Sequence, residues 1–211
     1  MISVTQVNRG KPEPLDMGNR VATTGIFKQP VEGPVAVGEE GLESDAIMDR
    51  KHHGGPDQAV YLYRTEDYEF WSRQLRRDIE PGTFGENLTV NGLSGPGLMV
   101  GDRLVLPNLE LQVSAPRIPC NVLAARMGDK KFAKMFVQAE RPGIYCRVLR
   151  TGTVTAGDTL ELIPFEEDSI STIEFFRDFH RKMSMEEMKR YLALPIDIRS
   201  RTYLEGEVAK G

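Results

Sequence analysis

Cys120 ends the run Ser114-Ala115-Pro116-Arg117-Ile118-Pro119-Cys120, whose residue types suit a reactive thiol. The thiolate is the form that attacks electrophiles and binds soft metals, and a neighbouring cation lowers the thiol pKa from its free value of about 8.5. Arg117 is such a cation. The two prolines fix their own φ and bias the residues before them to extended geometry, so the approach to Cys120 is stiff and its side chain is aimed. The competing reading is a cysteine that only fills the core, since free cysteine is among the most buried residue types.

A second stretch with chemistry in it is Asp49-Arg50-Lys51-His52-His53-Gly54-Gly55-Pro56-Asp57-Gln58. A glycine pair lets backbone approach a ligand closely and exposes N–H groups to it. With Arg50, Lys51 and two histidines in the loop, an anion such as a phosphate suits it; the plain alternative is a turn with solvated charges. The adjacent histidines make a poor metal pair, because neighbours on an extended chain point to opposite faces. A further glycine loop, Pro81-Gly82-Thr83-Phe84-Gly85-Glu86-Asn87-Leu88, offers Asn87 and its own amides to a ligand, or simply enters a strand. Neither Gly-x-Gly-x-x-Gly nor a P-loop occurs, so nothing supports a nucleotide cofactor.

The elements that must position these loops are mostly strands. Residues 2–8 alternate and are β-branched, and 10–19, with Pro12, Pro14 and Gly18, read as a loop. Strands are expected over 21–28 and 31–37, the second interrupted by Gly33-Pro34. Thr65 caps a helix to about Arg77 that buries Tyr68, Phe70, Trp71 and Leu75. Val100-Gly101-Asp102 and Ala156-Gly157-Asp158 each feed an alternating strand. With 109–113 and 144–149 they predict a closed or half-closed β-barrel rather than a parallel α/β sheet. Residues 121–127 and 129–139 read as helices packed on it by Phe132, Met135 and Phe136. Cys146 is a strand residue in this reading.

After Pro164 the pattern changes. Ser171-Thr172-Ile173-Glu174 and Ser184-Met185-Glu186-Glu187 are capping-box patterns opening amphipathic helices, and 197–203 adds a third. The division is a β-barrel domain over 1–164 and a helical appendage over 165–211, too small to bury much alone and so expected to dock on the barrel or on a partner. His180 reads as a surface residue.

Composition sets the bounds. The 211 residues suffice for one sizeable domain with a small addition, and 20 Gly with 13 Pro suit a turn-rich β protein. A net charge of −4 gives no overall basic footprint for nucleic acid or an anionic membrane. The N-terminus lacks a signal-peptide pattern, and the chain has no long apolar run, so the expected place is the cytoplasm. Two cysteines, Cys120 and Cys146, make no disulfide framework.

Taken together, several segments resemble the MOSC domain family and its YiiM-like subgroup. They are Thr24-Gly25-Ile26-Phe27-Lys28, Gly41-Leu42-Glu43-Ser44-Asp45, Lys51 to Val60, Phe84 to Leu88, Val100-Gly101-Asp102 and Pro116 to Cys120. The resemblance covers nearly the whole chain, the appendage looking like the three-helix domain that follows the barrel in that subgroup. It implies a MOSC-type β-barrel binding the pyranopterin molybdenum cofactor, with Cys120 as molybdenum ligand. It further implies reduction of N-hydroxylated compounds, including N-hydroxylated purine bases, with electrons from a separate flavin-containing reductase. Lys28, Lys51, His53, Asp57, Asn87 and Arg117 are then the candidate cofactor contacts, and His53 the candidate catalytic partner of Cys120. The family often has glycine at the position of Ser44, so if that glycine serves a φ > 0 turn, the local backbone here is expected to differ.

Two other functions stay open: a cofactor or sulfur carrier without turnover, and a thiol hydrolase or transferase using Cys120 with His53 as base. Self-association into a homo-oligomer is also left open.

Overall fold

The computed structural model describes residues 1–50, 53–93 and 98–210. The alternation of the N-terminus becomes β1 (Ile2–Gly10), which turns Val4 and Val7 inwards. Where the prolines and glycine predict only a loop up to residue 19, β2 (Glu13–Asp16) forms an antiparallel ribbon with β3 (Val21–Thr24). Pro14 is tolerated there because the ribbon stands apart from the main sheet and need not donate at every position. The expected 21–28 strand breaks at Gly25, and β4 (Lys28–Pro30) pairs with the end of β1. Gly33-Pro34 likewise shortens the expected 31–37 strand to β5 (Val35–Gly38), which turns into β6 (Gly41–Leu42).

A 3₁₀ turn over Pro56–Gln58 leads into β7 (Val60–Arg64), α1 (Thr65–Leu75) and β8 (Leu88–Asn91), with β7 and β8 parallel across the helix. Thr65 is the first residue of α1, not its cap. Its hydroxyl donates to the Val90 carbonyl at 3.2 Å and ties the helix to β8. Then come β9 (Arg103–Val105), β10 (Glu110–Pro116), α2 (Asn121–Met127) and α3 (Phe132–Ala139). β11 (Ile144–Arg150), β12 (Gly152–Val154) and β13 (Thr159–Ile163) complete the strands.

Among the described residues, seven strands close into a barrel in the order β13-β9-β10-β11-β7-β8-β1, with β1 pairing back onto β13. Closure removes the exposed edges that an open sheet would present. The interior is filled by Val4, Val7, Val60, Leu62, Leu88, Val90, Leu104, Leu111, Val113 and Cys146. β7 buries both faces: Val60 and Leu62 point into the barrel, while Tyr61 and Tyr63 pack outwards among Trp71, Phe84, Phe132 and Phe136. That second, aromatic core clamps α1, α2 and α3 to the outside of the barrel. Trp71 satisfies its indole N–H on the Tyr63 hydroxyl at 2.7 Å, as a fully buried Trp must.

The appendage consists of α4 (Thr172–Asp178), α5 (Met185–Leu192) and α6 (Ile198–Val208). Ser184 and Glu187 form the full reciprocal capping box. At α4 only half forms, Ser171 accepting from the Glu174 amide. The helices dock on the barrel, because Phe175, Tyr191, Leu194, Ile196 and Leu204 share a core with Val100 and Ala115. Polar ties reinforce it: the Asp197 amide donates to the Ser114 carbonyl at 3.2 Å, and Arg147 reaches the Ile196 carbonyl at 3.2 Å. Among the described residues, no helix is long and apolar enough to cross a membrane.

Asp57 is one of these ties. Its carboxylate takes Arg147 Nε at 2.8 Å and the first amide of α6, Ile198 N, at 2.8 Å. Asp57→Ala leaves both donors short of a partner and should cost about 1–2 kcal/mol. Urea unfolding should show the earlier midpoint, with faster proteolysis between β13 and α4; an unchanged midpoint would contradict this role.

Candidate functional site

The segment after β10 delivers the cysteine. β10 carries a register shift between Val113 and Ala115, a bulge at Ser114 that re-aims the chain as it leaves the sheet. Ser114 is fully buried, its hydroxyl bridging the Asp57 and Tyr145 carbonyls at 2.5 and 3.0 Å. The stiff Pro116–Pro119 stretch then places Cys120 just before the first turn of α2, partly exposed, with extended backbone.

Three segments meet it. The 23–26 turn and the 45–49 loop lie together, since a Cβ on Gly25 would run into the Ala46 carbonyl; only glycine permits that approach. Opposite them, Gly54 and Gly55 have φ of 70° and 82°, which brings His53 back over the barrel end. The result is a cavity of about 120 Å³ whose walls include Thr24, Lys28, His53, Asn87, Arg117 and Cys120.

The electrostatics of this cavity differ from a surface turn with solvated charges. Arg117 is 4% exposed and, among the described residues, has no carboxylate partner; its guanidinium lies over the Tyr61 ring at 5.2 Å, and Nη1 has no hydrogen-bond partner among them. A buried, incompletely satisfied cation is costly unless an anion meets it. The Cys120 thiol, in the same cavity, is able to do so as a thiolate. Burial opposes ionisation of Cys120, but a hydrogen bond from His53 and the charge of Arg117 outweigh it and bring the pKa down to about 6. Cys146 shows the contrary case. Inside the barrel and fully buried, its thiol is pushed up by desolvation and stays neutral.

Of the residues expected from the sequence, His53, Lys28, Asn87, Arg117 and Cys120 line the one cavity. Lys28 is not a free cation there. It pairs with Asp45, both side chains being almost fully buried, and desolvation lowers its pKa against the pull of that carboxylate. Asn87 donates to Asp45 at 2.8 Å and accepts from the Tyr61 amide at 3.1 Å, so it holds the wall in place. Asp57 is not among the lining residues, being taken up by Arg147 and α6. Lys51 lies outside the described residues. Ser44 adopts φ 61°, so the backbone keeps the left-handed turn without glycine, contrary to the expectation of a different local path.

Sequence reasoning missed Asp45, Tyr61 and Tyr145. Tyr145 had a signal: it precedes Cys146 in β11, so once Cys146 faces the barrel interior, Tyr145 must face out, towards the cysteine loop. Its hydroxyl lies 3.5 Å from His53 Nδ1. Asp45 carries no such signal, because its partnership with Lys28 and the Gly10 amide exists only after folding.

The MOSC domain family model matches residues 49–161, the segment that holds His53, Asn87, Arg117 and Cys120. The chain belongs to the MOSC domain family. It is 38% identical over 193 residues to the uncharacterized protein YflK of Bacillus subtilis, covering 90% of this chain and 87% of that one. The crystal structure of YiiM from Geobacillus stearothermophilus superposes with a TM-score of 0.82 at 28% identity, covering 99% of this chain and all of that one, so this is a YiiM-like member. A protein named reductase from Gibberella moniliformis is 30% identical over 175 residues, 80% of this chain but only 31% of its own length. The MOSC fold and the YiiM-like likeness stated from the sequence are thus both present.

A thiol of pKa about 6 is mostly thiolate at pH 7, whereas a free one is not. Iodoacetamide labelling of Cys120 in cofactor-free chain should therefore rise with pH through a midpoint near 6. His53→Ala and Arg117→Met each remove a lowering influence and should move the midpoint up. A wild-type midpoint above 8 would contradict the arrangement.

Proposed function

We propose that this chain is a molybdenum-cofactor-dependent reductase of N-hydroxylated compounds, N-hydroxylated purine bases among them. The observation that carries the reading is the buried Arg117 with an unpartnered Nη1 beside a thiol held as thiolate. The donor set fits the cofactor: a soft thiolate suits molybdenum by the softness argument that pairs thiolates with soft metals, and a guanidinium suits a phosphate or other anionic group. Among the described residues, no cluster of three His, Cys, Asp or Glu could hold a metal by itself. A single cysteine is enough where the cofactor brings its own sulfur ligands. Family membership and the fungal relative named reductase support the same reading.

When bound, the cofactor supplies the electron pair and a soft metal centre. The protein's part is placement and proton handling. Cys120 would hold the metal through its thiolate, and Arg117 would balance the charge. The Lys28–Asp45–Asn87 cluster keeps the opposite wall rigid, so the cavity would receive the cofactor in a fixed shape. His53, in the same cavity as the thiol and with Nδ1 3.5 Å from the Tyr145 hydroxyl, is placed to give a proton to the leaving oxygen. The net reaction consumes two electrons and two protons, replaces N–OH by N–H and releases water. A separate flavin-containing reductase is the proposed source of the electrons.

His53 and Cys120 in one cavity also suit a thiol hydrolase, and the two readings separate cleanly. Chain produced in a host able to make the cofactor should carry near-stoichiometric molybdenum and reduce N-hydroxylated bases with a reductant. Cys120→Ala should lose both, and Arg117→Met should lower cofactor affinity about 10–100-fold, the size seen when groups supporting a metal ligand are removed. Metal-free chain that turns over esters or amides, with no molybdenum retained by the wild type, would favour the hydrolase and defeat the reductase.

A further inference from the structure

His53 needs a fixed place, and the barrel strands do not supply one. Among the described residues, the chain from Glu43 to Ala59 forms no strand and holds only the 3₁₀ turn over Pro56–Gln58. Gly54 and Gly55, with φ of 70° and 82°, follow His53 directly, and glycine is the residue with the most backbone freedom to lose. The His53 ring itself reaches the Tyr145 hydroxyl only at 3.5 Å. Stiffness at His53 has to come from outside its own loop.

The first turn of α6 provides it. Arg199 Nη1 donates to the Gly54 carbonyl at 2.9 Å, and Nη2 donates to the Arg50 and His53 carbonyls at 3.0 and 3.2 Å. One planar, charged fork thus holds the backbone at His53 and beside it, and charge-assisted bonds of this kind are about twice as strong as neutral ones. The same turn holds the far end of the segment: Gln58 Nε2 donates to Asp197 Oδ1 at 3.3 Å, and the Ile198 amide donates to Asp57 Oδ2 at 2.8 Å. Three consecutive residues of the appendage, Asp197, Ile198 and Arg199, therefore grip 53–58 at both ends. Arg201 is the contrast. It also spans two carbonyls, of Leu192 and Leu194 at 2.9 and 2.7 Å, but both belong to the appendage itself.

We propose that Arg199 is a positioning residue: it sets where the His53 ring stands in the Cys120 cavity, and through it the helical appendage takes part in the reaction. The proposal rests on the reductase reading for the step that His53 serves, while the positioning itself is a property of the chain without cofactor. Arg199 grips the loop by its carbonyls, so its removal acts through His53. Arg199 also borders the cavity between α6 and the 116–120 stretch, where a direct ligand contact would show as weaker binding. A misplaced proton donor shows as slower turnover instead.

With 6-hydroxylaminopurine as substrate of the cofactor-loaded chain, Arg199→Ala should lower kcat about 10–100-fold and leave KM nearly constant, since misplacing a reacting group by about 1 Å costs on the order of 100-fold. Arg201→Ala should lower the thermal midpoint by a comparable amount and keep kcat. Added guanidinium should restore turnover to Arg199→Ala but not to His53→Ala. Arg199→Gln, which keeps most of the stem, takes its place where the alanine variant does not fold. A second readout needs no metal. In cofactor-free chain labelled at histidine, the ring signal of His53, assigned by its loss in His53→Ala, should be single and sharp in wild type and Arg201→Ala and broadened or shifted in Arg199→Ala. An unchanged His53 signal in Arg199→Ala, a loss that falls on KM with kcat intact, or equal losses of kcat from Arg199→Ala and Arg201→Ala would each overturn the proposal. If the signal changes as expected but loaded wild type reduces no N-hydroxylated compound, the positioning stands and the reductase reading fails.

Discussion

The arrangement depends on a guanidinium buried, among the described residues, without a carboxylate. Arg117 is enclosed by the outward-facing tyrosines of β7 and β11, and desolvation works against its charge; the Cys120 thiolate and the face of the Tyr61 ring work for it. Such a cation has one economical solution, which is to keep an anion beside it. The thiolate fills that need in part, and an unpartnered Nη1 leaves room for more. Once this pair is set, its surroundings follow. The prolines stiffen the cysteine's approach, the bulge at Ser114 turns β10 towards the cavity, and the neighbouring Lys28 is neutralised by Asp45 so that two free cations do not face each other.

The barrel and the helices divide the labour around that pair. A closed sheet gives loops a rigid base, and the loops that matter leave one end of it: the 23–26 turn, the 45–49 loop, the 53–58 segment and the 116–120 stretch. The helices would be marginal alone, being short and sharing one small core. Docked through Asp57, Arg147 and the Ser114 carbonyl, they wall off the outer side of Cys120. Arg199 strengthens this by donating to the Gly54 and His53 carbonyls at 2.9 and 3.2 Å, so the position of His53 is coupled to α6. Docking of the appendage and geometry at the thiol are therefore one problem.

Much of this was legible in the sequence, for identifiable reasons. Alternation found β1 and the Gly-Asp strands because each barrel strand has one face in the core, a period that survives in one dimension. Ser184 and Glu187 announced α5 because a capping box is local chemistry. The β2–β3 ribbon was hidden, since Pro12, Pro14 and Gly18 carry loop chemistry and its pairing stabilises an outlying hairpin. Thr65 misled for the opposite reason: a residue with capping chemistry found a better partner, the Val90 carbonyl, in a distant strand. At the site, Cys120 and Arg117 were readable because three residues and two prolines define their relation. Lys28 was readable as a charge but not as half of an ion pair, and Asp57 as a loop acid but not as the anchor of α6. Partnerships between distant segments depend on the barrel's closure, which no short stretch encodes.

The measurement closest to the central claim is the molybdenum K-edge absorption spectrum of the cofactor-loaded chain. A thiolate poised by His53 and Arg117 predicts one sulfur at the metal beyond the two that a dithiolene provides, and loss of that sulfur in Cys120→Ser chain that still holds the cofactor. A wild-type spectrum with dithiolene sulfur alone, unchanged by the substitution, would show that Cys120 does not ligate the metal and would contradict the account.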